Sequence, residues 1–245
     1  MFKKCFFLRW ERIKMIRRQI KIGELDCLHI PGSSQGIAIV MLHGYGANAE
    51  DLYDLHTVIE SKPGTSWYFP QGPLVIGNYG EFPSRAWFPL GVVDSILQAV
   101  ETGNWSKVAT LNPKGLDQAR EELLEFLGLL EVPYTKIILG GFSQGAMLAL
   151  DTFLSKEESP LGLMILSGTV LNEQKWRDLA PGKLGFHFLQ SHGMVDDLLP
   201  YAASKRLENL LSSSGLKSEF VPFPGGHTIP ELVIRKISNY VMARS

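Results

Sequence analysis

Residues 137–148, "IILGGFSQGAML", constrain the chain most. An apolar run stops at a glycine pair, a lone serine follows, and small and apolar residues resume after Gly145. The run reads as a buried strand that passes into a helix within a few residues. The same rhythm recurs along the chain. Strands are expected at 36–42, 66–70, 136–140, 161–168, 186–191 and 218–223. Helices are expected at 49–61, 112–130, 144–155, 201–214 and 229–242. In the second of these helices Asn112 can cap and Pro113 suits the first helical position. Strand–helix alternation implies an α/β fold, a mostly parallel central sheet with helices on both faces. Ahead of it, residues 20–30 alternate like one antiparallel edge strand. Residues 71–112 break the rhythm and read as loop-rich, the place of a lid or binding loop.

With 245 residues and no repeat or low-complexity linker, a single domain over 19–245 is expected. A net charge of -1 argues against a nucleic-acid partner. The charge is unevenly spread: residues 1–18 carry seven basic side chains against Glu11 alone. Their apolar run, Cys5 to Leu8, is too short for a secretory signal. They read as a basic extension, disordered or preceding a true start at Met15, rather than a membrane-binding segment. No stretch reaches the ~18 apolar residues of a spanning helix, so no stable membrane insertion is expected. Cys5 and Cys27 form neither a disulfide framework nor a metal pattern, which fits a cytoplasmic location.

Ser143 follows a strand end directly, and functional groups gather at the carboxyl ends of parallel strands. Flanked by Gly141 and Gly145, it can sit on a sharp turn with a helix amino terminus behind it, as a nucleophile does. An alcohol needs a neutral imidazole to take its proton and a carboxylate to fix the tautomer. His227 stands in a Gly/Pro loop after the last strand. His192 and His43 also follow strands, whereas His29, His56 and His187 lie within predicted elements. Asp196 and Asp197 both stand in the loop after 186–191. The order serine, aspartate, His227 is that of an α/β-hydrolase triad. For the oxyanion, the N–H groups of Gln144 at the helix start and of Tyr45 in the early glycine loop are the candidate donors. His43 then supports that loop.

The segments "LHGYGANAEDL", "PQGP", "RAWFPL", "GGFSQGAML", "LSG", "SHGMVDDLLP" and "GGHTIP" occur in this order. Over residues 36–240 the chain thus resembles the phospholipase/carboxylesterase family of α/β-hydrolases, which includes acyl-protein thioesterases and small bacterial carboxylesterases. The resemblance implies an α/β-hydrolase fold and hydrolysis of esters or thioesters of acyl chains, with no metal or organic cofactor. It matches Ser143 to the nucleophile, His227 to the base, and Gln144 and Tyr45 to the oxyanion positions. The frame His192-Gly193-x-x-Asp196-x-x-Leu199-Pro200 selects Asp196 as the acid. Trp87 matches a Trp-Phe pair near the acyl site. Met194 takes a substrate-side position where eukaryotic thioesterases often carry an acidic residue. The expected activity is that of a serine carboxylesterase on a small-molecule ester or acyl-chain substrate. The alternatives are an acyl-protein thioesterase and a membrane-surface binding protein on a hydrolase fold.

Overall fold

The computed structural model describes residues 18–245 apart from 80, 81, 90 and 92, and leaves out the side chains of Tyr79, Phe82 and Val93. The expected basic extension lies outside the described residues except for Arg18, which opens a strand instead.

Eight strands form one sheet: β1 (Arg18–Ile22), β2 (Leu25–Ile30), β3 (Ala38–Leu42), β4 (Ser66–Pro70), β7 (Ile137–Phe142), β8 (Gly162–Leu166), β9 (His187–Gly193) and β10 (Lys217–Phe223). Their spatial order is β1-β2-β4-β3-β7-β8-β9-β10. From β4 to β10 every pairing is parallel; β2 runs against both neighbours. β5 (Leu74–Tyr79) and β6 (Phe82–Ala86) form a separate antiparallel hairpin.

The apolar strands are continuous because both faces are covered. Along β3, Ala38, Val40 and Leu42 enter one core, and Ile39 and Met41 enter the other. Helices Leu116–Gly128, Gln144–Ser155 and Tyr201–Ser213 fill the first face; Ala49–Tyr53 and Glu231–Met242 fill the second. Beneath the first layer a buried carboxylate, Asp151, joins three helices. It accepts from Trp176 Nε1 (2.7 Å) and Arg120 Nη1 (2.9 Å), with Lys175 Nζ at 3.3 Å. Among the described residues no helix is long and apolar enough to cross a membrane.

Four expectations change. The edge strand over 20–30 is a hairpin, split where Gly23 takes φ +56° and Ile22 pairs with Leu25. The helix expected from 49 breaks at Asp54 into Ala49–Tyr53 and Leu55–Val58. Asn112 and Pro113 precede the next helix rather than start it. Leu116 N–H closes a turn on Pro113 O, the helix begins at Leu116, and Asn112 donates to the Asp117 carboxylate. The stretch 71–112 is not chiefly loop; it holds the β5–β6 hairpin and helices Val93–Thr102 and Ser106–Ala109. Its apolar periodicity is too short in each piece to stand out from the surrounding Gly and Pro.

Candidate active site

β3 and β7 are adjacent, yet the chain leaves β3 for β4 on one side and returns to β7 on the other. This is the topological switch point of the sheet, where a crevice opens at the carboxyl ends of parallel strands. Ser143 follows β7 there. Its backbone is held at φ 56°, ψ −119°, a conformation costing about 1–3 kcal/mol for a residue with a side chain. The fold sustains it by close approach. A Cβ on Gly141 would lie 2.3 Å from the Gly145 carbonyl carbon, and one on Gly145 would lie 2.2 Å from Leu42 O. Ser143 N–H is tied to Leu166 O of β8 (2.8 Å), and Ser143 O accepts from Ala146 and Met147 in the first turn of the helix. The side chain is left half-buried at the crevice.

His227 arrives from the far side. After β10 the loop folds back over the strand ends, so that its ring lies against Phe142, the residue before Ser143, with centroids 4.7 Å apart. Ser167 Oγ contacts Thr228 O at 3.4 Å. Asp196 reaches the same place from β9. Its Oδ2 accepts from His227 Nδ1 (2.7 Å), and its Oδ1 accepts from Leu198 N–H (3.0 Å) and Leu199 N–H (2.9 Å). Burial pushes this carboxyl up, but the His227 and Leu199 hydrogen bonds and the two nearby imidazoles outweigh it and hold Asp196 below its ordinary range. With Nδ1–H committed to Asp196, His227 Nε2 is the basic nitrogen. Asp197 is exposed and makes no such contact.

The loop after β3 flanks Ser143 on its other side: a Cβ on Gly44 would lie 3.3 Å from Ser143 Cβ. Gly46 N–H and Ala47 N–H are bound to Arg85 O and Gly44 O, and Tyr45 N–H has no backbone acceptor among the described residues. Gln144, as the first helical residue, has no acceptor for its N–H within its own helix. Gln144 N–H, next to Ser143 in sequence, and Tyr45 N–H, one residue beyond the Gly44 that packs against Ser143, are thus both without a backbone acceptor among the described residues.

His43 supports the loop. It is fully buried, donates from Nδ1 to Gly44 O (2.7 Å) and accepts Gly72 N–H at Nε2 (2.9 Å). Burial lowers its pKa to about 4, so it stays neutral. Trp87 differs from its expected place at the acyl site. It is 2% exposed, and its Nε1–H donates to His43 O (2.9 Å). It braces the loop from below and offers no surface to an acyl chain. Phe88 is likewise buried. Met194 is 49% exposed on the loop after β9, next to exposed Val195 and Leu198.

Several contacts had no legible signal. The Gln144 side chain clamps the adjoining segment, accepting Trp87 N–H at Oε1 (3.0 Å) and donating from Nε2 to Phe88 O (2.7 Å). The donors to Asp196 Oδ1 are backbone groups, which any residue supplies. No group of three or more His, Cys, Asp or Glu suited to a metal occurs among the described residues.

A half-buried serine on a strained strand-to-helix turn, at the switch point of this sheet, defines the chain as an α/β-hydrolase. The model of the phospholipase/carboxylesterase family matches residues 29–244, so the chain belongs to that family and is a serine hydrolase acting on ester bonds. It is 31% identical over 207 residues to acyl-protein thioesterase 1 homolog 1 of Dictyostelium discoideum, covering 81% of this chain and 87% of that one. Acyl-protein thioesterase 1 of Candida albicans is 25% identical over 232 residues, covering 89% and 96% of the two chains. The crystal structure of esterase PE8 superposes with a TM-score of 0.73 at 27% identity, over 90% of this chain and 99% of that one.

Proposed function

We propose that Ser143, His227 and Asp196 form the catalytic triad of a carboxylesterase, with Gln144 and Tyr45 N–H groups as the oxyanion hole. The observation that carries this reading is the 2.7 Å bond from His227 Nδ1–H to Asp196, beside a serine held on a strained turn. Ser143 Oγ attacks the ester carbonyl while His227 Nε2 takes its proton. The oxyanion is held by the two backbone donors. His227 returns the proton to the departing alkoxide as the carbonyl–oxygen bond breaks. Water, losing a proton to the same imidazole, then attacks the acyl-enzyme and releases the acid and Ser143.

The acyl chain is assigned to the apolar rim of Met194, Val195 and Leu198. The exposure of these three beside Asp196 supports that side. The other part of the ester is assigned to the Tyr45 side, where an open cleft of about 650 Å³ is lined by Tyr45, Ala47, Asn48, Glu50, Asp51 and Ser84. A second reading, hydrolysis of S-acylated protein, is favoured by the names of the thioesterase relatives. The same machinery serves it, since a thiolate leaves with less proton help. A cytoplasmic location is part of this proposal and rests on cysteine usage.

The test combines a fluorophosphonate probe with a substrate panel. Ser143 is the expected labelled residue, and Ser143→Ala should lose both labelling and turnover, by several orders of magnitude. Labelling elsewhere that survives the substitution overturns the triad. Across p-nitrophenyl esters of increasing length, a lysophospholipid and an S-acyl peptide, the carboxylesterase reading expects the simple esters to give the highest kcat/KM. Preference for the S-acyl peptide moves the assignment to the second reading.

A further inference from the structure

We propose that His192 is a positioning residue for the acid, fixing the Asp196 carboxylate by anchoring Leu199 and by placing its own N–H beside the oxygen that His227 uses. The inference rests on the triad reading above.

His192 is fully buried at the end of β9, within the parallel pairing to β10, so its ring has little freedom. Its Nε2 lies 2.7 Å from Leu199 O, so this nitrogen carries the hydrogen and donates. The same Nε2 stands 3.3 Å from Asp196 Oδ2. Leu199 is thus held at both ends: its carbonyl by His192 and its N–H by Asp196 Oδ1 at 2.9 Å. A carboxylate offers about four acceptor sites. Here Oδ1 takes two backbone N–H groups, and Oδ2 takes His227 with His192 alongside. The carboxylate therefore has one orientation, with Oδ2 toward His227.

The groups facing His192 agree. Asp196 and His227 are its charged or titratable neighbours, and the Tyr201 ring lies 6.4 Å away from the helix that follows. Burial is the largest influence and, with His227, lowers its pKa, outweighing the Leu199 and Gly168 backbone and Asp196, which favour the proton. It stays a neutral donor while His227 cycles through its charged form.

Without His192, Leu199 loosens, its N–H leaves Oδ1, and the carboxylate can turn away from His227. A carboxylate turned away no longer stabilises a proton on His227, so the acid limb of kcat/KM moves to lower pH. A glutamine amide nitrogen reaches about as far as imidazole Nε2, whereas an asparagine amide stops short.

The experiment compares His192→Gln, His192→Asn and Asp196→Asn with wild type, on one activated ester across the pH range. His192→Asn should lower kcat roughly tenfold with little change in KM and shift the acid limb to lower pH. His192→Gln should recover most of kcat and restore the limb. In the Asp196→Asn background, His192→Asn should cost little more, because it acts through that carboxylate. Equal impairment of both His192 variants, or native kcat and acid limb in both, overturns the proposal. If His192→Asn does not fold, His192→Leu, which has no donor, replaces it beside His192→Gln: a displaced limb with leucine and a native one with glutamine support the inference, and the same limb in both overturns it. Asp196→Asn that turns over normally signals a different failure, that of the triad reading.

Discussion

Asp196 and Asp197 share a composition and a loop but not an environment. Asp196 is buried among four donors; Asp197 faces solvent. Asp196→Asn keeps the shape but replaces one oxygen with an amide, favouring the wrong His227 tautomer. Ester turnover should fall roughly 10²-fold or more, less than the ~10⁴ that the same change costs a serine protease triad, since esters need less proton help. Asp197→Asn should be nearly silent. Turnover of both purified variants, after a thermal melt to check folding, decides; a crippled Asp197→Asn with a normal Asp196→Asn would reverse the assignment. The difference was legible only through the spacing from His192 to Asp196. The place of Ser143 in the fold was legible because it follows an apolar strand directly between glycines; Tyr45 and His227 lie in Gly-rich loops a few residues past β3 and β10, which the same strand pattern marks. Trp87 was not. An aromatic in a Gly/Pro-rich stretch reads alike whether it lines a pocket or braces a loop, and its bond to His43 O joins residues 44 apart.

At the scale of elements, the loop after β3 is a rigid part rather than a flexible connection. His43 binds Gly44 O within it and Gly72 N–H across from it, and Trp87 closes the third side. The strands around it were legible because two-sided burial writes a continuous apolar run, as in β3, β7 and β8. The β5–β6 hairpin and the short helices after it were not, because pieces of four to ten residues carry little periodicity. His43 also gives the loop a pH signature. Its folded pKa, about 4, lies below the ordinary value of 6.5, so the unfolded chain binds the proton more readily. The stabilisation is full above pH 6.5 and is lost as pH falls toward 4. About 2 kcal/mol should disappear between pH 7 and 5 on this account. His29 and His192 are shifted the same way, so wild type alone does not isolate the effect. The check is urea unfolding of wild type and His43→Asn at both pH values. The variant should start less stable at pH 7 and lose less on acidification; parallel losses in the two proteins would remove His43 as the cause.

For the whole molecule, the decisive fact is that every proposed functional group comes from the carboxyl ends of parallel strands. Tyr45 follows β3, Ser143 follows β7, Asp196 follows β9 and His227 follows β10. The supports, from His43 through Trp87 to Leu199, lie within the same span of sequence. The first described strand, β1, sits at the sheet edge, with β2 and β4 between it and β3. A chain beginning at Arg18 would keep all of these elements. Removing residues 1–17 should therefore leave kcat/KM on a water-soluble ester within about twofold, since the elements that position the nucleophile and its supports all lie within 18–245. The removed segment holds six of the seven basic residues among 1–18, and Arg18 supplies the seventh. Basic residues near an anionic surface contribute about 1 kcal/mol each at most and are screened by salt. Vesicle sedimentation at low and physiological salt, run on both chains, separates the cases. The expected result is no retention of either chain at physiological salt. Retention of the full chain alone would make residues 1–17 a membrane tether, and loss of soluble-ester turnover on their removal would make them part of the catalytic domain.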